Sequence, residues 1–142
     1  MLLLAIATVV SFVSYAQLLT WSPAFPKEDD ASQNLVITVD ATKGNQGLLG
    51  YTPTSDVYVH IGAITNKSTS GANWINPPFQ WGTTTAAANA PAAGTNKWKY
   101  TINGSLRTFF NITDPTETIL KIAILFRSGD GNSKQANADG GD

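Results

Sequence analysis

Three stretches of the chain alternate between apolar and other side chains with a period of two residues. They are Leu35–Asp40, Val57–Ile64 and Thr118–Arg127. This alternation puts every second side chain on one face of an extended chain, so each stretch predicts a strand with one apolar face. In the last stretch that face is expected to hold Leu120, Ile122, Ile124 and Phe126.

The segments between these strands predict loops and turns, with no long helix. Lys97–Ile102 adds a fourth strand, with Trp98, Tyr100 and Ile102 pointing inward. Thr83–Thr95 contains Pro91 and Gly94 and predicts a loop. Leu106–Phe110 predicts one helical turn that crosses between sheets, and the polar stretch Gly129–Asp142 shows no obvious strand. Near the N-terminus, Pro23 and Pro26 place the chain at a sheet edge, where Trp21 is expected to plug the core.

These elements predict an all-β fold, an antiparallel immunoglobulin-like β-sandwich formed by residues 17–142. The pattern yields about five or six strands, whereas such a sandwich has about seven. The last strand is therefore expected to be missing. An incomplete sheet leaves a free edge, and free edges recruit other strands.

The first sixteen residues form an uncharged apolar segment, MLLLAIATVVSFVSYA, that ends in Ser14-Tyr15-Ala16. An apolar run followed by a small-x-small site predicts a secretory signal, and hence a secreted, extracellular or cell-surface protein. The run is too short for a comfortable membrane span, which needs about 20 apolar residues. The alternative is that residues 1–16 are retained as an apolar strand.

Composition excludes several functional classes. The net charge is −1 and only 13% of the residues are charged, so there is no basic surface to attract nucleic acid. The chain has no cysteine, which removes thiolate metal sites and cysteine nucleophiles. Its single histidine, His60, lies on the polar face of a predicted strand, and no Gly-x-Ser-x-Gly elbow is present. We expect a protein without enzymatic activity.

Exposed aromatic side chains indicate carbohydrate binding instead. Sugar rings stack on flat aromatic faces while nearby amides bind their hydroxyl groups. The candidate residues are Trp74, Trp81, Tyr51, Asn76 and Gln80. Trp98 is a weaker candidate, because it alternates in phase with Tyr100 and Ile102 and is expected in the core.

Acidic turns near the C-terminus are candidates for calcium, which takes oxygen ligands from loops. The residues are Asp130, Asn132, Asp139 and Asp142. Neither turn has the length or the closing glutamate of an EF-hand loop. No other cofactor is expected.

Six blocks of the sequence, TWSPAFP, ITVDATKGNQGLLGY, SDVYVHIGAIT, NKWKYTI, ETILKIAILFRSGDG and NADGGD, extend over about residues 18–142. Together they resemble a small N-terminal immunoglobulin-like domain of secreted Bacteroidetes proteins that precedes family 13 α-amylase catalytic domains. The resemblance implies an accessory role in binding starch-like α-glucan beside a following catalytic domain. It supplies no binding residue of its own.

Two functions therefore follow from the sequence. The first is a non-catalytic extracellular module that binds polysaccharide through the exposed aromatic residues. The second is a structural subunit of an extracellular filament, in which residues 1–16 enter the open edge of another copy by strand addition. Neither function requires nucleic acid or a membrane span.

Overall fold

A computed structural model of the protein describes residues 17–139. The predicted secretory signal or apolar strand, residues 1–16, lies outside the described residues, as does Asp142. The regular secondary structure of the described residues is almost all β-strand, arranged in two antiparallel sheets around one core. The all-β sandwich predicted from the sequence is thus confirmed, while its immunoglobulin-like identity stays a prediction.

Within residues 17–139, seven strands form the two sheets. They are β1 Leu19–Ser22, β2 Asn34–Asp40, β3 Val57–Thr65, β4 Ala92–Gly94, β5 Lys97–Asn103, β6 Ile119–Ser128 and β7 Lys134–Gln135. The first sheet has the order β1-β2-β5-β4, and the second has the order β3-β6-β7. A short 3₁₀ turn, Ala86–Ala88, and one helical turn, α1 Leu106–Phe109, complete the fold.

The core lies where the alternating faces of the strands meet. On β2 and β5 the inward side chains stand directly opposite one another, in the pairs Leu35–Ile102, Ile37–Tyr100 and Val39–Trp98. All six are buried. The inward residues of β3 are Val57, Val59, Ile61 and Ala63, each 0% exposed. Burying side chains of this size stabilises the fold by about 1.5–3 kcal/mol each.

The connection from β5 in the first sheet to β6 in the second runs through α1, as the sequence predicts. Ser105 caps this helix, since its Oγ accepts a hydrogen bond from the Thr108 N–H at 3.4 Å and donates one to the Glu28 carbonyl at 2.8 Å. Leu106 and Phe110 are buried at the end of the core. Residues 106–110 therefore close one end of the sandwich.

Two short strands were missed by the sequence pattern. β4 lies inside the stretch predicted as a loop, and β7 lies inside the polar tail. Hydrogen bonds to the loop at residues 43–48 hold β7 in place. Gln135 accepts from the Leu48 N–H at 3.2 Å and donates to the Lys43 carbonyl at 2.7 Å. A Cβ on Gly47 would come within 1.9 Å of the Lys134 carbonyl oxygen, so this approach requires glycine.

Two predicted core positions are wrong. Trp21 is 51% exposed, because β1 is a four-residue edge strand whose outer part nothing in the described chain covers. Leu120 is 61% exposed. The ladder between β3 and β6 shifts register between Ile64 and Thr65, so Ile119 pairs with Thr65 and Leu120 is left outside the apolar row.

Among the described residues, none belongs to a helix of the length and apolar character needed to cross a membrane.

Candidate functional site

The outer face of β3 carries an aromatic cluster built around His60. Trp74 stacks on the His60 ring at 5.1 Å between centroids and an angle of 22°. Trp81 meets the same ring edge-on at 5.4 Å and 77°. The two tryptophans lie in the connection between β3 and the 3₁₀ turn, and half-buried His60 contacts both of them.

Trp74 lies close to the sheet because Gly62 has no side chain. A Cβ on Gly62 would come within 2.9 Å of the Trp74 Cβ. The neighbouring residue Ile75 exchanges two backbone hydrogen bonds with Ala63, at 2.6 and 3.1 Å. Trp74 is therefore fixed on β3 and only partly exposed, which leaves Trp81 as the more accessible ring.

Trp81 is 39% exposed and is held from below. The guanidinium carbon of Arg127 lies 5.4 Å from the Trp81 ring centroid and 5.8 Å from that of Tyr58. The turn at Gly131 packs against the indole, where an added Cβ would lie 3.0 Å from Trp81 Nε1. Trp81 is thus a partly exposed aromatic platform that packs against His60, Arg127 and the Gly131 turn.

Arg127 supports this cluster from inside the protein. It is 0% exposed and donates to the carbonyls of Thr83, Ser128 and Gly129, at 2.6, 2.8 and 3.3 Å. Burial lowers the pKa of Arg127, although Tyr58 and Asp56 partly oppose that shift. The alternation of β6 puts Arg127 on the side opposite Phe126, but that pattern alone does not show that the loop carrying Thr83 buries it.

The other predicted sugar-binding residues have different partners. Tyr51 donates to Asp56 Oδ2 at 2.7 Å, and this hydrogen bond raises the pKa of Tyr51. Asn76 is exposed and donates to the Asn111 carbonyl at 3.5 Å, and Gln80 is exposed. Within residues 17–139, no ring contact joins Tyr51 to Trp74 or Trp81. Trp98 is buried in the core, where its Nε1 donates to the Thr54 carbonyl at 2.9 Å.

The proposed calcium ligands are only partly described. Asp130 accepts from Ser128 Oγ at 2.5 Å and from both the backbone and the side chain of Asn132, at 3.0 and 2.8 Å. The hydrogen bond from Ser128 is the main reason that the pKa of Asp130 is lowered. Asp139 is exposed, and Asp142 is outside the described residues. The described part of the chain contains no group of three or more acidic or histidine residues that could hold a metal.

A second surface feature is an apolar groove of about 720 Å³ between β1 and the first half of β6. The sequence predicted a free edge but not this groove. Its apolar walls are formed by Leu19, Trp21, Phe25, Leu35 and Ile37 on one side and Ile119, Leu120, Ile122 and Ile124 on the other. Phe25 is 90% exposed at its rim.

The groove exists because the two edges of β6 differ in how much of their length is paired with another strand. One edge pairs with β3 at every residue from Ile119 to Ser128 except Leu120, whereas β7 covers the other edge only at Phe126 and Arg127. No described strand pairs with this edge from Ile119 to Leu125. Ile122 and Ile124 are consequently only half-buried, while the inward residues of β3 are fully buried.

Glu28 closes the far end of the groove. Its Oε2 accepts a hydrogen bond from the Ile119 N–H at 2.9 Å, and its Oε1 lies 3.9 Å from Arg107 Nη1. The carboxylate is therefore already paired with groups of the protein. Apart from Glu28, the only charged residue in the lining is Lys121.

No protein-family model matches this chain, and no curated protein matches it. The resemblance to domains that precede family 13 catalytic domains accordingly stays a prediction from the six sequence blocks.

Proposed function

We propose that this domain is an extracellular binding module whose groove accepts an extended apolar polypeptide segment by strand addition. The observation that carries the proposal is the half-buried pair Ile122 and Ile124, which lies on the part of the β6 edge that no described strand covers. A strand laid along this edge supplies both backbone hydrogen bonds and apolar side chains.

The chemistry of the groove favours an uncharged occupant. The walls are apolar, and the Glu28 carboxylate is engaged by Ile119 and Arg107. A charged side chain carried between the apolar walls would lose its hydration, which is costly. Lys121 is the one charged lining residue outside the Glu28–Arg107 pair, so most positions in the groove offer such a side chain no partner. Each apolar side chain that the groove buries contributes about 1.5–3 kcal/mol before the ordering of the segment is subtracted.

A peptide titration tests the groove directly. The probe is an uncharged heptapeptide that alternates valine and threonine, because Ile119–Leu125 comprises seven residues. Trp21 lies in the wall and is 51% exposed, so binding should change tryptophan fluorescence in a saturable way. The control is the same peptide with proline at alternate positions, since proline cannot donate to a ladder. Equal binding of both peptides, or of neither, would refute strand addition.

A matched pair of variants locates the binding. Trp21→Ala removes a wall of the groove, whereas Trp81→Ala removes an exposed tryptophan from the outer face of β3. Heptapeptide binding, measured by calorimetry, should weaken about tenfold or more in the first variant and stay unchanged in the second. The opposite result would place the site elsewhere.

We also propose, as a second candidate, that Trp81 stacks against the rings of a starch-like α-glucan, as expected of an accessory module beside a glycoside hydrolase. What supports this is the platform itself, 39% exposed and held by His60, Arg127 and the Gly131 turn. A ring that is already immobilised loses little conformational freedom on binding.

Titration with maltoheptaose tests the second candidate. We expect millimolar binding that Trp81→Ala weakens by about 1–3 kcal/mol, the scale of burying one large side chain, and that Trp21→Ala leaves unchanged. Absence of heat and of any fluorescence change at millimolar sugar would refute it. The two tryptophan variants thus distinguish the candidate functions. Trp21→Ala should weaken only peptide binding, and Trp81→Ala should weaken only sugar binding.

A further inference from the structure

We propose that residues 1–16 of a second copy of this chain are the segment that occupies the groove. This inference rests on the proposed strand-accepting groove and assigns its occupant. It predicts that the protein associates head-to-tail, with the N-terminal segment of each copy in the groove of the next.

The chemistry of the segment matches that of the groove. Residues 1–16 contain no charged side chain, and their polar groups are limited to the hydroxyls of Thr8, Ser11, Ser14 and Tyr15. Nothing in this composition conflicts with walls formed by leucine, isoleucine and aromatic residues. Its β-branched residues, among them Ile6, Val9, Val10 and Val13, favour the extended conformation that strand addition needs.

The position of the segment favours a neighbouring copy over its own domain. The Asp40 N–H donates to the Leu18 carbonyl at 3.0 Å, so the chain is bound to β2 from Leu18 onward. To enter its own groove, the preceding segment would have to reverse and cross from the first sheet to the second. Residues 1–18 contain no Gly, Pro, Asn or Asp, the residues that tight reversals favour most.

The resulting contact joins two different surfaces, a segment on one copy and a groove on the next. Such a heterologous contact repeats without closing unless the rotation between copies happens to form a ring. We therefore expect open chains of copies whose length increases with concentration.

The test uses full-length protein exported by a bacterial host, with its N-terminus verified by intact mass. Light scattering after size-exclusion chromatography should give masses that rise with concentration, and electron microscopy should show linear assemblies. Exported protein that lacks residues 1–16, or full-length protein that stays monomeric at all concentrations, would overturn the inference. The second result includes the case in which the segment enters its own groove.

Two defective proteins, mixed together, decide between a specific contact and general stickiness. In one, V9D and V10D spoil the segment. In the other, Ile122→Asp spoils the groove. Phe25→Asp is the groove variant to use if Ile122→Asp does not fold, because Phe25 is 90% exposed and bears no core packing. Each protein alone should be monomeric, and an equimolar mixture should form a one-to-one dimer.

Leu49→Asp is the matched control, since Leu49 is also exposed, at 48%, but does not line the groove. It should assemble as the unsubstituted protein does. Association of the groove variant by itself, or no dimer in the mixture, would overturn the inference.

Failure of this inference is distinguishable from failure of the proposed function. Suppose that the valine–threonine heptapeptide binds, that Trp21→Ala abolishes this binding, and that the full-length chain stays monomeric. The groove then accepts strands, but residues 1–16 are not its occupant. If assembly occurs, the heptapeptide should shorten the assemblies by competing for the groove. Assembly that the peptide leaves unchanged would overturn the inference.

Discussion

Gly62 determines how closely the aromatic cluster approaches β3. It stands on the outer face of the strand, and a Cβ there would lie 2.9 Å from the Trp74 Cβ, a distance that real Cβ contacts do not reach. A larger residue must therefore displace Trp74, and Trp74 in turn stacks on His60. The absence of a side chain at Gly62 therefore allows Trp74 to pack close to β3, where Trp74 contacts His60, which in turn contacts Trp81.

Substitution of Gly62 by alanine tests this packing. We expect Gly62→Ala to lower the free energy of unfolding by about 1–3 kcal/mol, the usual cost of overpacking, although alanine otherwise suits a strand better than glycine. Urea denaturation followed by tryptophan fluorescence measures the change. Gly71→Ala is the control, because a Cβ there meets nothing within 4 Å. A stabilised Gly62→Ala variant would contradict the close approach.

Tyr100 should make stability fall at alkaline pH. Burial raises the pKa of Tyr100 to about 12, and its hydroxyl donates to the Ala87 carbonyl at 2.9 Å. The unfolded chain releases this proton near pH 10, so the contribution is complete below pH 10 and is lost as the pH rises toward 12. The two-unit difference corresponds to about 2–3 kcal/mol.

Comparison of the unsubstituted protein with Tyr100→Phe isolates that effect. At pH 8 the variant should be less stable by about 1 kcal/mol, the value of one hydrogen bond. The difference should shrink and then reverse in sign between pH 10 and pH 12, because phenylalanine has no proton to release. Denaturant titrations at several pH values measure it. A constant difference across this range would show that the Tyr100 hydroxyl ionises equally in both states.

Tryptophans illustrate how far sequence alone could locate individual residues. Trp98 could be placed in the core because it alternates with Tyr100 and Ile102 on a regular strand, and that prediction is confirmed. Trp21 has no such context. Its exposure depends on which strand neighbours β1 and on how short β1 is, and neither property can be read from the residues around it.

At the scale of elements, β6 shows where a regular pattern misleads. Its apolar row begins at Ile122, not at Leu120, because the register against β3 shifts between Ile64 and Thr65. Such a shift depends on a partner strand distant in sequence. The long alternating strands β2, β3, β5 and β6 were predictable from local pattern, while β4 and β7 are too short to produce one.

Leu120 provides the test of this register. Leu120→Ser should change the free energy of unfolding by no more than about 0.5 kcal/mol, since the side chain is already 61% exposed. Ile61→Ala, at a fully buried position of β3, should cost about 2–5 kcal/mol. Thermal or chemical denaturation compares the two. A loss of unfolding free energy in Leu120→Ser as large as that in Ile61→Ala would contradict the register shift.

Several aspartates distributed over the molecule make its stability depend on pH in the acid range. The pKa values of Asp30, Asp40, Asp114 and Asp130 are all lowered, mainly by hydrogen bonds from Ser32, Thr42, Lys67 and Ser128 respectively. Each contributes stability that is complete above the unfolded pKa of about 4 and is lost as the pH falls below it.

Melting temperature should therefore be nearly level from pH 5 to pH 8 and should fall below pH 4. Circular dichroism melts across this range measure it. Asp114→Asn should reduce the steepness of the acid limb, because Lys67 and Thr116 both lower the pKa of this carboxylate. A profile that is flat down to pH 2 would contradict the role of these hydrogen bonds.

The candidate sites also differ in how much of them the sequence could supply. Trp74 and Trp81 lie in one loop, so their proximity was predictable, but His60 and Arg127 join them only through the folded sheet. The groove was predictable only as a free edge. Its walls belong to β1 and β6, which are about a hundred residues apart in the chain and lie in different sheets.

The free edge of β6 is blocked at both ends. β7 covers Phe126 and Arg127, and the Glu28 carboxylate takes the N–H of Ile119. The space between is a slot of fixed length, about 20–23 Å at the rise of a strand. Because a slip of one residue would turn every side chain of a guest to the wrong face, such a slot selects guests by length and phase as well as by apolarity.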